Sequence, residues 1–247
     1  MIKLDLPPCP IELTPEIQHQ LTDTYKSTEK AVWKKGYIEN ALLAMTNNKC
    51  AYSEQLLNQE SAYMEIDHFK CKKIYPDDVV KWGNLLPSCK KCNSTKGEHD
   101  VIVIPIVNPL VEQPRDFLYV KCFRYYHRNT KGKATIDVLA LNDNEHFANP
   151  RARIALQIAD DIETRFDDLV LAHQMKNAMQ VRKSIGKIKS LLTECTTRYP
   201  YSAIKSTYIL YEFDTYDQLE TFLKNNNYWD QELENLKNDL LSIALKK

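Results

Sequence analysis

The sequence predicts an α+β protein: a core of short elements at residues 49–107, flanking helices, a β-hairpin, and a mainly helical C-terminal region. Three observations carry that reading. Chemically able side chains concentrate between residues 49 and 100: Cys50, Asp67-His68, Asn84 and Cys89-x-x-Cys92-Asn93. Apolar side chains recur at helical spacing on either side, at Ile17, Leu21 and Tyr25 before this stretch and at Ile154, Ile158, Ile162 and Phe166 after it. Strand-like runs bounded by turn residues occur at 63–69 and again after residue 117.

Taken in order, residues 1–13 carry Pro7, Pro8 and Pro10 and predict an extended arm, because proline lacks the amide donor and biases its predecessor away from helix. Residues 14–48 form a helical segment. Thr14-Pro15-Glu16 reads as cap, first-turn proline and first-turn acid, and a second helix is expected over 29–46, with Val32, Trp33, Tyr37, Ala41, Leu42 and Met45 facing inward. Asn47-Asn48 ends it. Residues 49–107 make the core, with a strand over 63–69, an irregular loop at Pro76-Asp77-Asp78 and a helix from about Asn93. Residues 108–150 predict a hairpin extension whose strands, 117–126 and 134–140, are joined through Asn129-Thr130-Lys131-Gly132. In the region 151–247, helical spacing runs from Arg151 to about Cys195, too long for one globular helix, so a break is expected near Gly186. Helices at 201–211, 216–224 and 230–245 follow.

Composition excludes several classes. Lys plus Arg equals Asp plus Glu at 33 each, so the field of the whole molecule does not attract a polyanion and any nucleic-acid contact is local. Only five glycines are present, and neither a phosphate-cradling loop nor a dinucleotide fingerprint occurs, so a partner must supply any nucleotide energy. No apolar run reaches the roughly 20 residues that span a bilayer. Seven cysteines, an odd number, and an N-terminus without an apolar secretion region point to a reducing cytoplasm.

The pattern Asp67-His68, Gly83-Asn84-Leu85, Cys89-x-x-Cys92-Asn93-x-x-Lys96 resembles the HNH endonuclease family. That resemblance implies a ββα-metal core and hydrolysis of phosphodiester bonds. Such hydrolysis needs a base to deprotonate water and positive charge at the phosphate. A neutral imidazole suits the first task, which assigns His68 as general base. The resemblance gives Asn84 the role of orienting the base and holding the loop. A hard ion, Mg²⁺ or Mn²⁺, prefers oxygen ligands, for which Asp67 and Asn93 are the candidates, and neighbouring strand residues point to opposite faces, separating ligand from base. Lys96, one turn beyond Asn93, together with Lys90 and Lys91, and with Lys70, Lys72 and Lys73 nearby, could contact phosphates without regard to sequence. The basic, aromatic hairpin stretch offers Arg124 and Arg128 for the same purpose.

Relatives with a structural zinc carry two Cys-x-x-Cys corners, whereas this sequence has Cys50-x-x-Ser53 and Cys89-x-x-Cys92. A neutral serine hydroxyl is a poor zinc ligand, so either another group completes a Zn²⁺ site on Cys50, Cys89 and Cys92, with Cys71 the first candidate and Glu54 and His99 weaker ones, or no zinc binds. Cys9, Cys122 and Cys195 read as plain thiols.

Trp82-Gly83-Asn84-Leu85-Leu86, Asn108-Pro109, Thr135-Ile136-Asp137 and Leu141-Asn142 extend the likeness. Together they are similar to the HNH nuclease subunit of Septu-type anti-phage systems, including those attached to retrons. That resemblance implies an ABC-type ATPase partner and, in the retron setting, a reverse transcriptase with its DNA–RNA product. DNA is the default substrate, with RNA, including transfer RNA, open to the same chemistry. The competing class is a zinc-knuckle adaptor that binds nucleic acid or a protein without cutting.

Overall fold

The computed structural model describes residues 1–57 and 63–247; residues 58–62 lie outside the described residues. The chain divides into two compact units, Met1–Leu118 with Tyr125–Asp143, and Tyr119–Arg124 with Asn144–Lys247. Among the described residues there are nine α-helices and two small antiparallel sheets, an α+β protein that is mostly helical.

In the first unit the proline-bearing arm packs on its own core. The Leu4 amide donates to the Pro109 carbonyl at 2.8 Å, and the Trp82 indole donates to the Pro7 carbonyl at 2.8 Å. Helix α1 (Pro15–Thr28) starts where the sequence predicts: the Thr14 hydroxyl accepts the Ile17 amide at 3.3 Å. The second helix is shorter than expected. Glu29 turns left-handed with φ 56° and closes α1, and α2 spans only Gly36–Thr46. Val32 and Trp33 still reach the core, from the connecting turns rather than from a helix face, and join Leu13, Tyr25, Ile38, Leu42, Val79, Val80 and Leu85 there. Asn47 and Asn48, with φ 52° and 57°, end α2 as predicted.

Strands β1 (Met64–His68) and β2 (Leu85–Cys89) pair antiparallel, Ile66 opposite Pro87 and His68 opposite Leu85. Single 3-10 turns at Pro76–Asp78 and Trp82–Asn84 lie between them. Helix α3 (Lys90–Lys96) follows β2 directly and packs on both strands. It begins three residues before the expected Asn93.

The hairpin differs from expectation. β3 (Leu118–Lys121) turns through Cys122 and Phe123, both with positive φ (46° and 64°), into β4 (Arg124–His127). Residues 134–140, expected as the second strand, fall instead largely in helix α4 (Thr130–Val138). Asn129, read as a turn residue, is its cap: the side-chain oxygen accepts the Gly132 amide at 2.9 Å. Asn, Thr and Gly serve caps and turns alike, so composition alone does not separate them.

In the second unit a π-helical turn at Asn144–Ala148 leads into α5 (Asn149–Gln174). The expected break comes earlier than Gly186, which lies inside α6 (Ala178–Thr193). Lys176 has φ 55°, and the Asn177 side chain accepts the Gln180 amide at 3.1 Å, so a left-handed residue and a polar cap set the break. Helices α7 (Ser202–Tyr211), α8 (Asp214–Asn225) and α9 (Gln231–Ile243) complete a core around Ile158, Ile162, Leu169, Ile188, Leu223 and Leu240.

Gly132 is required by close approach: a Cβ there would lie 2.1 Å from the Phe117 carbonyl oxygen. Gly132→Ala is therefore expected to destabilise the first unit by about 1–3 kcal/mol, the usual cost of overpacking, read as a lower urea midpoint. An unchanged midpoint would show that the Phe117 backbone moves aside.

Candidate functional site

The site grows out of the alternation of β1. Asp67 turns toward α3 and His68 to the opposite face, toward the core that holds Trp33. Both are buried. The Asp67 carboxylate accepts the Tyr52 hydroxyl on Oδ2 at 2.5 Å and pairs through Oδ1 with Lys96 Nζ at 2.9 Å. The same ammonium donates to the His68 backbone carbonyl at 2.7 Å. Lys96 is thus a buried counter-ion, not the phosphate-facing lysine that its sequence position suggests.

His68 Nε2 lies 2.9 Å from the Val79 carbonyl oxygen, which can only accept. Nε2 therefore carries the proton, and the lone pair is on Nδ1. The Trp33 ring meets the imidazole edge-on, with centroids 4.6 Å apart. Burial, then the positive charges of Lys72 and Lys96, outweigh the Val79 contact and push the imidazole pKa down to about 3.

Asn84 clamps the loop that supplies that carbonyl. Its Oδ1 accepts the Lys70 amide at 2.7 Å, while its Nδ2 donates to the carbonyls of Lys70 at 3.2 Å and Asp78 at 3.0 Å. Asp78 immediately precedes Val79, so the asparagine fixes the backbone against which His68 is oriented.

Asn93 does not share a hydrogen bond with Asp67. Its Nδ2 donates to Glu65 Oε2 at 2.6 Å. Helix α3 therefore lies along one face of β1 with two polar rungs, Asn93 on Glu65 and Lys96 on Asp67. Glu65 is the site residue that the sequence reading missed. Its signal was the strand period, since residues two apart share a face. A carboxylate accepts only, so Glu65 holds the amide nitrogen and leaves Asn93 Oδ1 as the free acceptor.

Besides Lys96, three of the expected phosphate-contacting cations have acidic partners. Lys70 pairs with Asp78 at 3.1 Å, Lys91 with Asp143 at 2.8 Å, and Lys73 with Glu98. Lys72 lies over the Trp33 ring, and Lys90 is exposed. Arg128 Nε donates to the Arg115 carbonyl at 2.9 Å. Arg124 donates to Asn144 and belongs to the second unit, whereas Asp67, His68, Asn84 and Asn93 belong to the first.

The cysteines sort as a trio and an outsider. The sulfurs of Cys50, Cys89 and Cys92 all lie within 4.8 Å of one another and are buried. Cys71, the expected fourth ligand, is outside this cluster, in a turn where its carbonyl accepts the Ile74 and Tyr75 amides. Glu54 is ion-paired with the Met1 amino group at 2.5 Å, and His99 Nε2 sits 2.8 Å from the Ile104 carbonyl, so neither completes the trio. Burial raises the Cys50 thiol, but contacts with Cys89, Cys92 and Ser53 draw it well below the usual range. The Cys50 contact pushes Cys89 up to about 12, and burial holds Cys92 well above its ordinary value. Three buried sulfurs this close together could hold a metal ion such as zinc. Among the described residues it is the one group of three or more His, Cys, Asp or Glu side chains so gathered. For a hard cation, Asp67 and Asn93 offer one carboxylate and one amide oxygen, and each Asp67 oxygen keeps a lone pair beyond the hydrogen bond it accepts.

Two similar proteins are both described as Septu protein PtuB. The one from Bacillus thuringiensis is 36% identical over 245 residues, covering 96% of this chain and 92% of the relative. The one from Bacillus mycoides strain KBAB4 is 26% identical over 250 residues, covering 81% of this chain and 83% of the relative. No family model and no solved structure matches.

The depressed His68 pKa makes a pH prediction. Above about 6.5 the imidazole is neutral in folded and unfolded chains alike. As pH falls from there toward about 3, the unfolded chain takes up a proton that the folded site refuses, so stability is lost. The slope attributable to this group is up to about 1.4 kcal/mol per pH unit. Urea unfolding without divalent cations, from pH 7 to pH 4, is expected to show a flatter profile for His68→Gln than for the wild type. Parallel profiles would show that His68 is not held neutral.

Proposed function

Since the chain belongs to the family of the Septu protein PtuB, we propose that it is the hydrolytic component of an anti-phage defence complex, an HNH-type metal-dependent endonuclease. The observation that supports this best is the division of labour on β1: adjacent Asp67 and His68 on opposite faces, with the imidazole proton fixed on Nε2 by Val79. The Val79 contact at Nε2 leaves Nδ1 as the proton-accepting nitrogen, the form that a general base requires.

In this reading His68 Nδ1 would take the proton of the attacking water, Val79 would steady the imidazolium that forms, and the burial and Lys72 charge that hold the free imidazole neutral would favour rapid loss of that proton. Asn84 maintains the register between them by tying the loop at Lys70 and Asp78. Asp67 and Asn93 would hold Mg²⁺ or Mn²⁺, which when bound would supply charge stabilisation at the phosphate and leaving oxygen. Glu65 presents Asn93 Oδ1 by holding the other end of the amide. Lys96 pairs with Asp67 within a buried setting. Water as nucleophile gives 5′-phosphate products on DNA or RNA.

The family assignment supports a partner within the complex. An ABC-type ATPase fits a chain without a phosphate-cradling loop, and in a retron setting a reverse transcriptase with its DNA–RNA product joins it. Among the described residues no helix is long and apolar enough to cross a membrane.

His68→Gln, which keeps a donor for Val79, is expected to lower cleavage by the assembled complex about 10²–10⁴-fold, the usual worth of a general base, with assembly intact. Wild-type cleavage by that variant would remove the mechanism. Glu65→Ala is expected to weaken Mn²⁺ binding by about ten- to a hundredfold, in the range seen for groups that orient ligands, with Glu65→Gln recovering part of the loss. Equal affinity in all three would remove the role assigned to Glu65.

A further inference from the structure

The two cysteine corners share one spacing, Cys50-Ala51-Tyr52-Ser53 and Cys89-Lys90-Lys91-Cys92. In the first, the Ser53 amide donates to Cys50 Sγ at 3.5 Å. The second opens α3 from the end of β2. The side-chain donor atoms at their first and fourth positions gather into one buried cluster. Three are sulfurs within 4.8 Å of one another. The fourth is the Ser53 hydroxyl, whose oxygen lies 3.7 Å from Cys89 Sγ and whose residue is fully buried. The Gln55 amide donates to that oxygen at 3.3 Å and so fixes it within the cluster.

We propose that Ser53 supplies the fourth donor of a zinc site, so that the ion is held by the thiolates of Cys50, Cys89 and Cys92 and by the Ser53 hydroxyl oxygen. The donor set suits a tetrahedral, closed site. On binding, each of the three thiols gives its proton to solvent, and the hydroxyl keeps its own. Three thiolates around Zn²⁺ leave a net charge of −1 where four would leave −2, and the smaller charge costs less to bury. A neutral oxygen is also a weaker zinc donor than a thiolate, so this site is expected to release its ion more readily than a four-cysteine one.

The position of the site gives that lability a consequence. Cys92 lies in α3 next to Asn93, and Cys89 ends β2. Seven residues are too few for a helix to hold itself in water. Zinc would therefore tie the start of α3 to the Cys50 turn and hold Asn93 over Glu65 and Lys96 over Asp67. The ion has a scaffolding role, and the proposal stands whether or not the protein cleaves nucleic acid.

The test is zinc titration of the full chain, starting from metal-free reduced protein, in competition with chelators of graded strength. Wild type is expected to bind one zinc per chain. Ser53→Cys should bind it about tenfold or more tighter, and Ser53→Ala about tenfold or more weaker, within the range over which ligand changes shift zinc sites. Cobalt-substituted protein should show stronger sulfur-to-metal charge transfer in Ser53→Cys than in wild type. Failure of the wild type to take up zinc would overturn the proposal, and so would a Ser53→Ala affinity equal to that of wild type, which would place water in the fourth position. Neither readout involves cleavage, and His68→Gln should bind zinc as wild type does, so loss of the nuclease reading leaves this result separately legible.

Discussion

The buried pair between Asp67 and Lys96 is the interaction on which the local architecture turns. An ion pair taken out of water gains little net stability, yet removing one partner leaves an uncompensated charge and costs about 3–5 kcal/mol. Here each charged group also has a second hydrogen-bond partner. Asp67 accepts from Tyr52 as well as Lys96, and Lys96 donates to the His68 carbonyl as well as Asp67. The pair consequently locks three elements together: the turn that bears Tyr52, strand β1 and helix α3. With Lys96 on Asp67, Asn93 falls in register with Glu65.

That register is also where sequence reading stopped. Thr14 announced α1, the paired asparagines ended α2, and the Asp67-His68 step, Asn84 and the cysteine trio were all legible, because each is a local signal or a fixed spacing. The partner of Asn93 was not. Glu65 and Asp67 share one strand face, and spacing cannot say which lies opposite a given helical residue until the crossing angle is known. Lys96 was read as a surface cation for the same reason. Its burial depends on Asp67, which is 29 positions away in sequence. The misassigned helix α4 has another cause: Asn129 and Gly132 satisfy the requirements of a turn as well as those of a cap, and only the close approach of Gly132 to Phe117 selects the second. The break between α5 and α6 was displaced because glycine was taken as the breaker, whereas Lys176 adopts the left-handed conformation itself.

Charge balance over the whole chain has a local counterpart. Lysines cluster around β1 and the following loop, but Asp78, Glu98, Asp143 and Asp67 neutralise Lys70, Lys73, Lys91 and Lys96 in turn. A surface arranged this way draws a polyanion weakly at a distance and contacts it only once delivered. On the function proposed above, this charge pattern suits a substrate brought by a partner better than one captured by the isolated chain.

The two polar centres of the first unit are mechanically in series. Strand β2 enters α3 through Cys89 and Cys92, and the next residue is Asn93. Anything that loosens the cysteine turns acts first on the N-terminal half of α3, where Asn93 sits, and only then on Lys96, which Asp67 and the His68 carbonyl hold independently. His68 is insulated further, since its orientation comes from Val79 and Trp33 on the opposite face of β1. Loss of order at the cysteines would thus impair presentation of the Asn93 oxygen before it disturbed His68, so the two halves of the candidate site have separate supports and separate ways to fail.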